Sequence, residues 1–264
     1  MELYERKLYT MPCNWLFNSY IREYDISKAN INILLYKGII SKEEYHKLCM
    51  LSRNYRQIQI GYILKDERIN KLFEEGLQEA RKLFITSNDL DEQDILSIKN
   101  DAIFVINKNP TYTSFDNIRF LLKNTYTSFM KIFNLEIYYG LNKQDNSEVL
   151  DIKGINDSKL DIHRNYMIDI ICNALYFINI GDQKSSLEYI QDIYNKYVSK
   201  QLPIEYYRSF DNMSMYILVI NGRRYGVYHL SNTKDNYDIL DISYNANLLR
   251  EIYSYILNYT LGGN

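Results

Sequence analysis

The spacing of apolar residues divides the chain into helical and extended stretches that follow one another without a repeat. In SKANINILLYKG, Ala29, Ile33 and Tyr36 fall at helical spacing and Gly38 is a stop signal. SKEEYHKLC opens with Ser41 and Glu44 at capping-box spacing, which predicts the start of a second helix. A long helix over about 66–85 follows, its stripe made by Ile69, Leu72, Phe73, Leu77, Ala80 and Phe84. Residues 15–24 read as a strand leading into Asp25. Ile95–Ile98 and Ala102–Ile106 flank Lys99-Asn100-Asp101 and read as a hairpin.

A further strand pair is expected within 126–139. Helices are expected over 160–180, with Tyr166, Met167, Ile170, Ile171, Ala174, Leu175 and Ile178 on one side, and over 185–197. MSMYILVINGRRYGVYHL carries Asn221-Gly222 between alternating strands, a strong hairpin signal, and a last amphipathic helix covers about 245–259. The fold class is α+β.

Composition narrows the class of protein without naming a chemistry. The chain has 264 residues, 46% hydrophobic and 24% charged, with a formal charge of −2. It is long enough for a large core and has no global basic signature. The 27 tyrosines accompany many Asn, Ile and Lys, the residues of AT-rich codons, so they are read as coding bias and not as stacking platforms. Cys13, Cys49 and Cys172 are odd in number and widely spaced, which fits no disulfide framework or metal pattern and suits a reducing cytoplasm. His46, His163 and His229 are isolated and are read as surface or core residues. No signal peptide and no apolar run of about 18 residues is present, so no membrane association is expected.

Two acids stand at structurally suggestive places. Asp25 ends a strand just before a helix, and Asp101 stands at a hairpin tip. The ordinary reading is a helix cap and a turn acid. If the strands are neighbours, the carboxylates meet at one sheet edge, where such a pair holds two Mg²⁺ ions about 4 Å apart for phosphoryl transfer. Arg53 and Arg56 at i, i+3 share a helix face, with Gln57 and Lys65 nearby. Arginine forks suit triphosphate oxygens, and a solvated basic face is the plain alternative.

Several segments resemble family B DNA polymerases. EYDISKANINIL resembles their first palm motif, in which a strand delivers an Asp and the chain turns into a helix beneath the triphosphate. EARKLFITSNDL followed by ILSIKNDAIFVI is similar to the helix and hairpin ending in YGDTDSIFV; Asp101 matches the metal-binding second Asp and Lys99 stands in place of the first. KNTYTSF, at Lys123–Phe129, resembles the KKxYxG element near the primer terminus. LDIKGINDSKLDIHRNYMIDII resembles the KGIExxRRD segment leading into the thumb. The matches run in the family's order over about 24–180.

The resemblance implies a palm over 1–150 with a short fingers insertion at about 40–90, and an α+β thumb-like region over 151–264. It implies two Mg²⁺ or Mn²⁺ ions on Asp25 and Asp101, which would be the catalytic residues. Nucleotide contacts would come from Lys28, Asn30, Arg53, Arg56 and Lys65, and primer–template contacts from Lys123, Tyr126 and Lys153. The expected partners are a DNA or RNA primer–template, nucleoside triphosphates and, if the enzyme is split, a second polymerase subunit.

The departures also matter. SRNYRQIQIGYIL stands where KxxxNSxYG is expected, and Lys28-Ala29-Asn30-Ile31 replaces SLYP, so Asn30 takes the place of the ring under the sugar. With 24 residues before the first acid, no exonuclease is expected. The readings are a minimal phage-like polymerase in the host cytoplasm, a binding module on a decayed polymerase fold, or an unrelated α+β protein.

Overall fold

The computed structural model describes residues 2–142, 147–212, 215–227 and 239–262. In chain order its elements begin with β1 (Leu8–Thr10), β2 (Trp15–Leu16), β3 (Ile21–Ile26), α1 (Ala29–Tyr36), α2 (Lys42–Met50), α3 (Arg53–Ile63) and α4 (Glu67–Ser87). Next come β4 (Ile95–Lys99), β5 (Ala102–Val105), β6 (Ser114–Phe115), β7 (Ile118–Tyr126), β8 (Ser128–Ile132), β9 (Leu135–Leu141) and β10 (Glu148–Lys153). The chain continues through α5 (Asp157–Leu160), α6 (Met167–Asn179), α7 (Gln183–Val198), β11 (Tyr216–Ile220), β12 (Arg223–Val227) and α8 (Ser243–Thr260). The fold is α+β, and every strand pairing given for the described residues is antiparallel.

The helix starts follow the local chemistry. The Ser41 hydroxyl accepts from the Glu44 N–H while the Glu44 carboxylate accepts from the Ser41 N–H, closing the expected box. Asp66 caps α4 by accepting from the Arg68 and Ile69 N–H groups.

The chain forms two units, Met1–Pro12 with Tyr20–Thr125 and Cys13–Ser19 with Tyr126–Asn264. The division after Thr125 differs from the expected one at 150. The reason is pairing: β8, β9 and β10 build a sheet of their own, edged by β2 from near the start of the chain.

In the first unit the strands run in the order β1-β4-β5-β3-β7-β6. Tyr24 and Ile26 of β3, Ile98 of β4 and Ile103 and Val105 of β5 share a core with Phe73, Leu77, Ala80 and Phe84 of α4. Burying a side chain such as Phe84 contributes roughly 1.5–3 kcal/mol. Leu72, expected on this stripe, is 42% exposed, and Arg81 takes a buried place instead. α1 and α4 approach closely at Gly76, where an added Cβ would lie 2.8 Å from Ile33 Cγ2 and 2.7 Å from Lys37 Cγ.

In the second unit the sheet order is β10-β9-β8-β2. β9 is buried at every position, which is why it lacks alternation. α6, α7 and α8 supply Met167, Ile170, Ile171, Ile190, Leu249 and Ile252 to this core. The expected 160–180 helix is shorter: α5 and a 3₁₀ turn at Asp161–His163 precede α6, and Tyr166 lies just before it. Asn221 and Gly222 both have positive φ, 51° and 74°, as a two-residue hairpin requires. The strand continuation toward Leu230, with His229, lies outside the described residues. Among the described residues no helix is long and apolar enough to cross a membrane.

Candidate active site

Alternation along β3 sets the site. Tyr24 and Ile26 enter the core, so Glu23 and Asp25 share the opposite face. Asp25 is in register with Ala102 of β5, and the Ile26 N–H donates to the Asp101 carbonyl at 3.3 Å. Asp101, one residue before β5, therefore lies beside Asp25, and their carboxyl groups come within hydrogen-bonding reach of each other. Two carboxylates at that range need a shared proton or a cation between them. Among the described residues, buried Asp25 Oδ1 has no hydrogen-bond partner. Burial and then the Asp101 charge push the Asp25 carboxyl up to about 6, against the opposing pull of Lys123.

The hairpin tip is braced from below. Asn100 takes a left-handed conformation, φ 57°, which Asn tolerates better than most residues. Arg81, 1% exposed, donates from Nη1 to the Asn100 carbonyl at 2.7 Å and from Nε to the Tyr4 carbonyl at 2.9 Å. It fixes the backbone next to Asp101. Arg81 lies four residues after Leu77 and three before Phe84, so the helical period marked it as inward-facing. Glu23 went unread too, although its i−2 relation to Asp25 placed both on one face.

The chain turns from β3 into α1 at Lys28, whose φ of 46° is costly for a side-chain-bearing residue. The turn brings Lys28, Ala29, Asn30 and Ile31 beside the acids. α3 supplies the facing wall. Asp25, Asp101, Lys28, Asn30, Arg53, Arg56 and Gln57 line one open cleft of about 290 Å³. The i, i+3 arginines thus share a cleft with the two acids.

Other expected contacts are placed differently. Lys65 is exposed, its ammonium 4.6 Å from the Tyr62 ring, and does not line the cleft. It follows the C-terminal end of α3, away from the first turn that carries Arg53. Lys123 does not stand free for a phosphate: it is 3.3 Å from Glu23 Oε1 and 3.9 Å from Asp25 Oδ2. Tyr126 is fully buried, its hydroxyl 3.5 Å from Asp151 Oδ2, so it presents no ring to a nucleic acid. Lys153 pairs with Asp151 at 2.6 Å in the second unit.

Among the described residues no three His, Cys, Asp or Glu side chains converge as a metal-ligand set. Two carboxylates, one with an orphaned buried oxygen, nevertheless fit Mg²⁺, which is commonly held by one or two carboxylates with substrate phosphates and water completing the shell.

The sequence pattern of the bacteriophage PBS1 gene 130 protein family matches residues 1–258, and the chain belongs to that family. No curated protein matches it.

Proposed function

We propose that this member of a phage protein family is a nucleotidyltransferase that joins a nucleoside triphosphate to the 3′-hydroxyl of a nucleic-acid primer. The observation that carries this reading is one cleft holding both the Asp25–Asp101 pair, with its unpartnered buried oxygen, and the Arg53–Arg56 pair. Acids that repel each other at the foot of a cleft suit a divalent cation. Guanidinium forks on the facing helix suit phosphate oxygens.

Asp25 and Asp101 would hold the Mg²⁺ or Mn²⁺ ions. Such ions, when bound, acidify an attacking hydroxyl and neutralise phosphate charge. Arg53 and Arg56 grip the β- and γ-phosphates, and Lys28 adds positive charge at the turn into α1. Asn30 stands where the sugar of the incoming nucleotide would lie, by the resemblance to family B polymerases. The 3′-hydroxyl gives up its proton to solvent water, its oxygen bonds to the α-phosphorus, the bond to the bridging oxygen breaks, and pyrophosphate leaves carrying that electron pair. Arg81 keeps Asp101 in place by fixing the Asn100 carbonyl.

One feature supports a binding module on the same fold instead: Lys99 stands where the resemblance would put another acid. Primer extension with a labelled primer–template, dNTPs or rNTPs, and Mg²⁺ or Mn²⁺ separates the two. Nucleotidyl transfer predicts extension that is lost in Asp25→Asn and in Asp101→Asn while circular dichroism stays unchanged. Equal extension in the variants would place the chemistry elsewhere. Primer–template binding without extension in any cation would favour the binding module.

A further inference from the structure

A third acid and a lysine stand behind the pair. Glu23 has no exposed surface. Its Oε1 accepts from Lys123 Nζ at 3.3 Å and its Oε2 accepts from Asn124 Nδ2 at 2.9 Å. Both donors come from β7, the neighbour of β3 in the sheet. Glu23 is therefore engaged through both oxygens, whereas Asp25 offers the unpartnered Oδ1. Lys123 Nζ reaches both acids, 3.3 Å from Glu23 Oε1 and 3.9 Å from Asp25 Oδ2. The lysine side chain is 49% exposed, so its ammonium is able to move, while Glu23 is held in the sheet.

We infer that Lys123 is a built-in counter-ion that competes with divalent cations for Asp25, and that Glu23 is the positioning residue that holds it back. This rests on the reading of Asp25 and Asp101 as the cation ligands. The physics is direct. An ammonium close to Asp25 offsets the charge of the acid pair when no cation is bound, and opposes a divalent ion that arrives there. The Glu23 carboxylate draws the ammonium away from Asp25 and leaves Oδ1 open. Lys123 thus sets the affinity of the site without being a ligand.

The two partners then act with opposite sign. Lys123→Met removes the competing charge and tightens cation binding. Glu23→Gln keeps a hydrogen-bonding group for Asn124 but frees Lys123 to close on Asp25, and weakens binding. One charge at this range corresponds to a change on the order of tenfold in each direction. The double variant Glu23→Gln/Lys123→Met binds as tightly as Lys123→Met, because Glu23 acts only through the lysine. A merely structural ion pair predicts something else: both single variants loosen the sheet and lower affinity together.

The test is Mn²⁺ binding to the full chain, followed by electron paramagnetic resonance of free Mn²⁺, with Asp25→Asn as the control that removes the site. Tighter binding in Lys123→Met, weaker binding in Glu23→Gln and binding in the double variant as tight as in Lys123→Met support the inference. Should Lys123→Met fail to fold because Glu23 is left buried and unpaired, Glu23→Gln against the double variant still decides it, since losing the lysine must then restore affinity. Wild-type binding that Asp25→Asn abolishes, with no such pattern in the other variants, overturns the role of Lys123 alone. Wild-type binding that is absent, or unaffected by Asp25→Asn, overturns the cation site and with it this inference.

Discussion

At the scale of single residues, the chain carries polar groups whose surroundings do not satisfy them. His163 has no exposed surface, both its ring nitrogens lack partners among the described residues, and its ring meets Phe210 edge-on at 5.0 Å. Burial, then the nearby Arg208 charge, pushes its pKa down from 6.5 to about 4. A depressed histidine contributes stability that is present above 6.5 and lost as pH falls toward 4, a change on the order of 3 kcal/mol. His163→Leu should flatten the loss of stability between pH 6.5 and 4, measured by denaturant unfolding at a series of pH values; an unchanged slope would assign that acid sensitivity to other groups. Asn30 is the residue-scale question of the cleft. In the proposed reading its amide would offer a hydrogen bond to a 2′-hydroxyl where a flat ring would exclude it. Weak discrimination between rNTPs and dNTPs is expected, with Asn30→Tyr shifting preference toward dNTPs; a wild type that already rejects rNTPs about a thousandfold would refute the role.

At the scale of elements, what was legible followed from periodicity and caps. α1, α2, α4 and the β4–β5 and β11–β12 hairpins were readable because their apolar spacing, capping residues and turn residues agree with one another. β6 and β10 were not, since the first is two residues long and the second is mostly half-buried, so neither shows clean alternation. In β7, Ile118 and Phe120 are buried but Leu121 and Leu122 are 53% and 52% exposed, which breaks the pattern. Of the site, Asp25, Asp101 and the arginine pair were visible as residues. Glu23 and Arg81 required knowing which face of β3 and α4 turns inward. Gly76 belongs to this scale as well, because its missing Cβ sets how closely α4 approaches α1, the helix that follows Asp25. Gly76→Val should cost about 1–3 kcal/mol through overpacking, read as a lower denaturant midpoint for the first unit. An unchanged midpoint would mean that Ile33 and Lys37 yield without cost.

At the scale of the whole molecule, membership of the PBS1 gene 130 protein family places the chain among phage proteins, and the site suggests what one of its two units is for. The acids of the first unit are arranged against stability. Asp25 is raised from 3.8 to about 6, so its favourable contribution is complete below 3.8 and is lost as pH rises through 6. A fold that keeps such a pair at neutral pH gains from a cation that neutralises it. The central claim is that Asp25 and Asp101 stand together to hold that cation. Thermal unfolding with and without Mn²⁺, at pH 7.5 and pH 5, for the wild type and Asp25→Asn, tests it most directly. The account predicts that Mn²⁺ raises the wild-type Tm by several degrees at pH 7.5 and by much less at pH 5. It also predicts that Asp25→Asn is more stable than the cation-free wild type at pH 7.5 and does not respond to Mn²⁺. A variant less stable than wild type under those conditions, or one with an undiminished Mn²⁺ response, would contradict it.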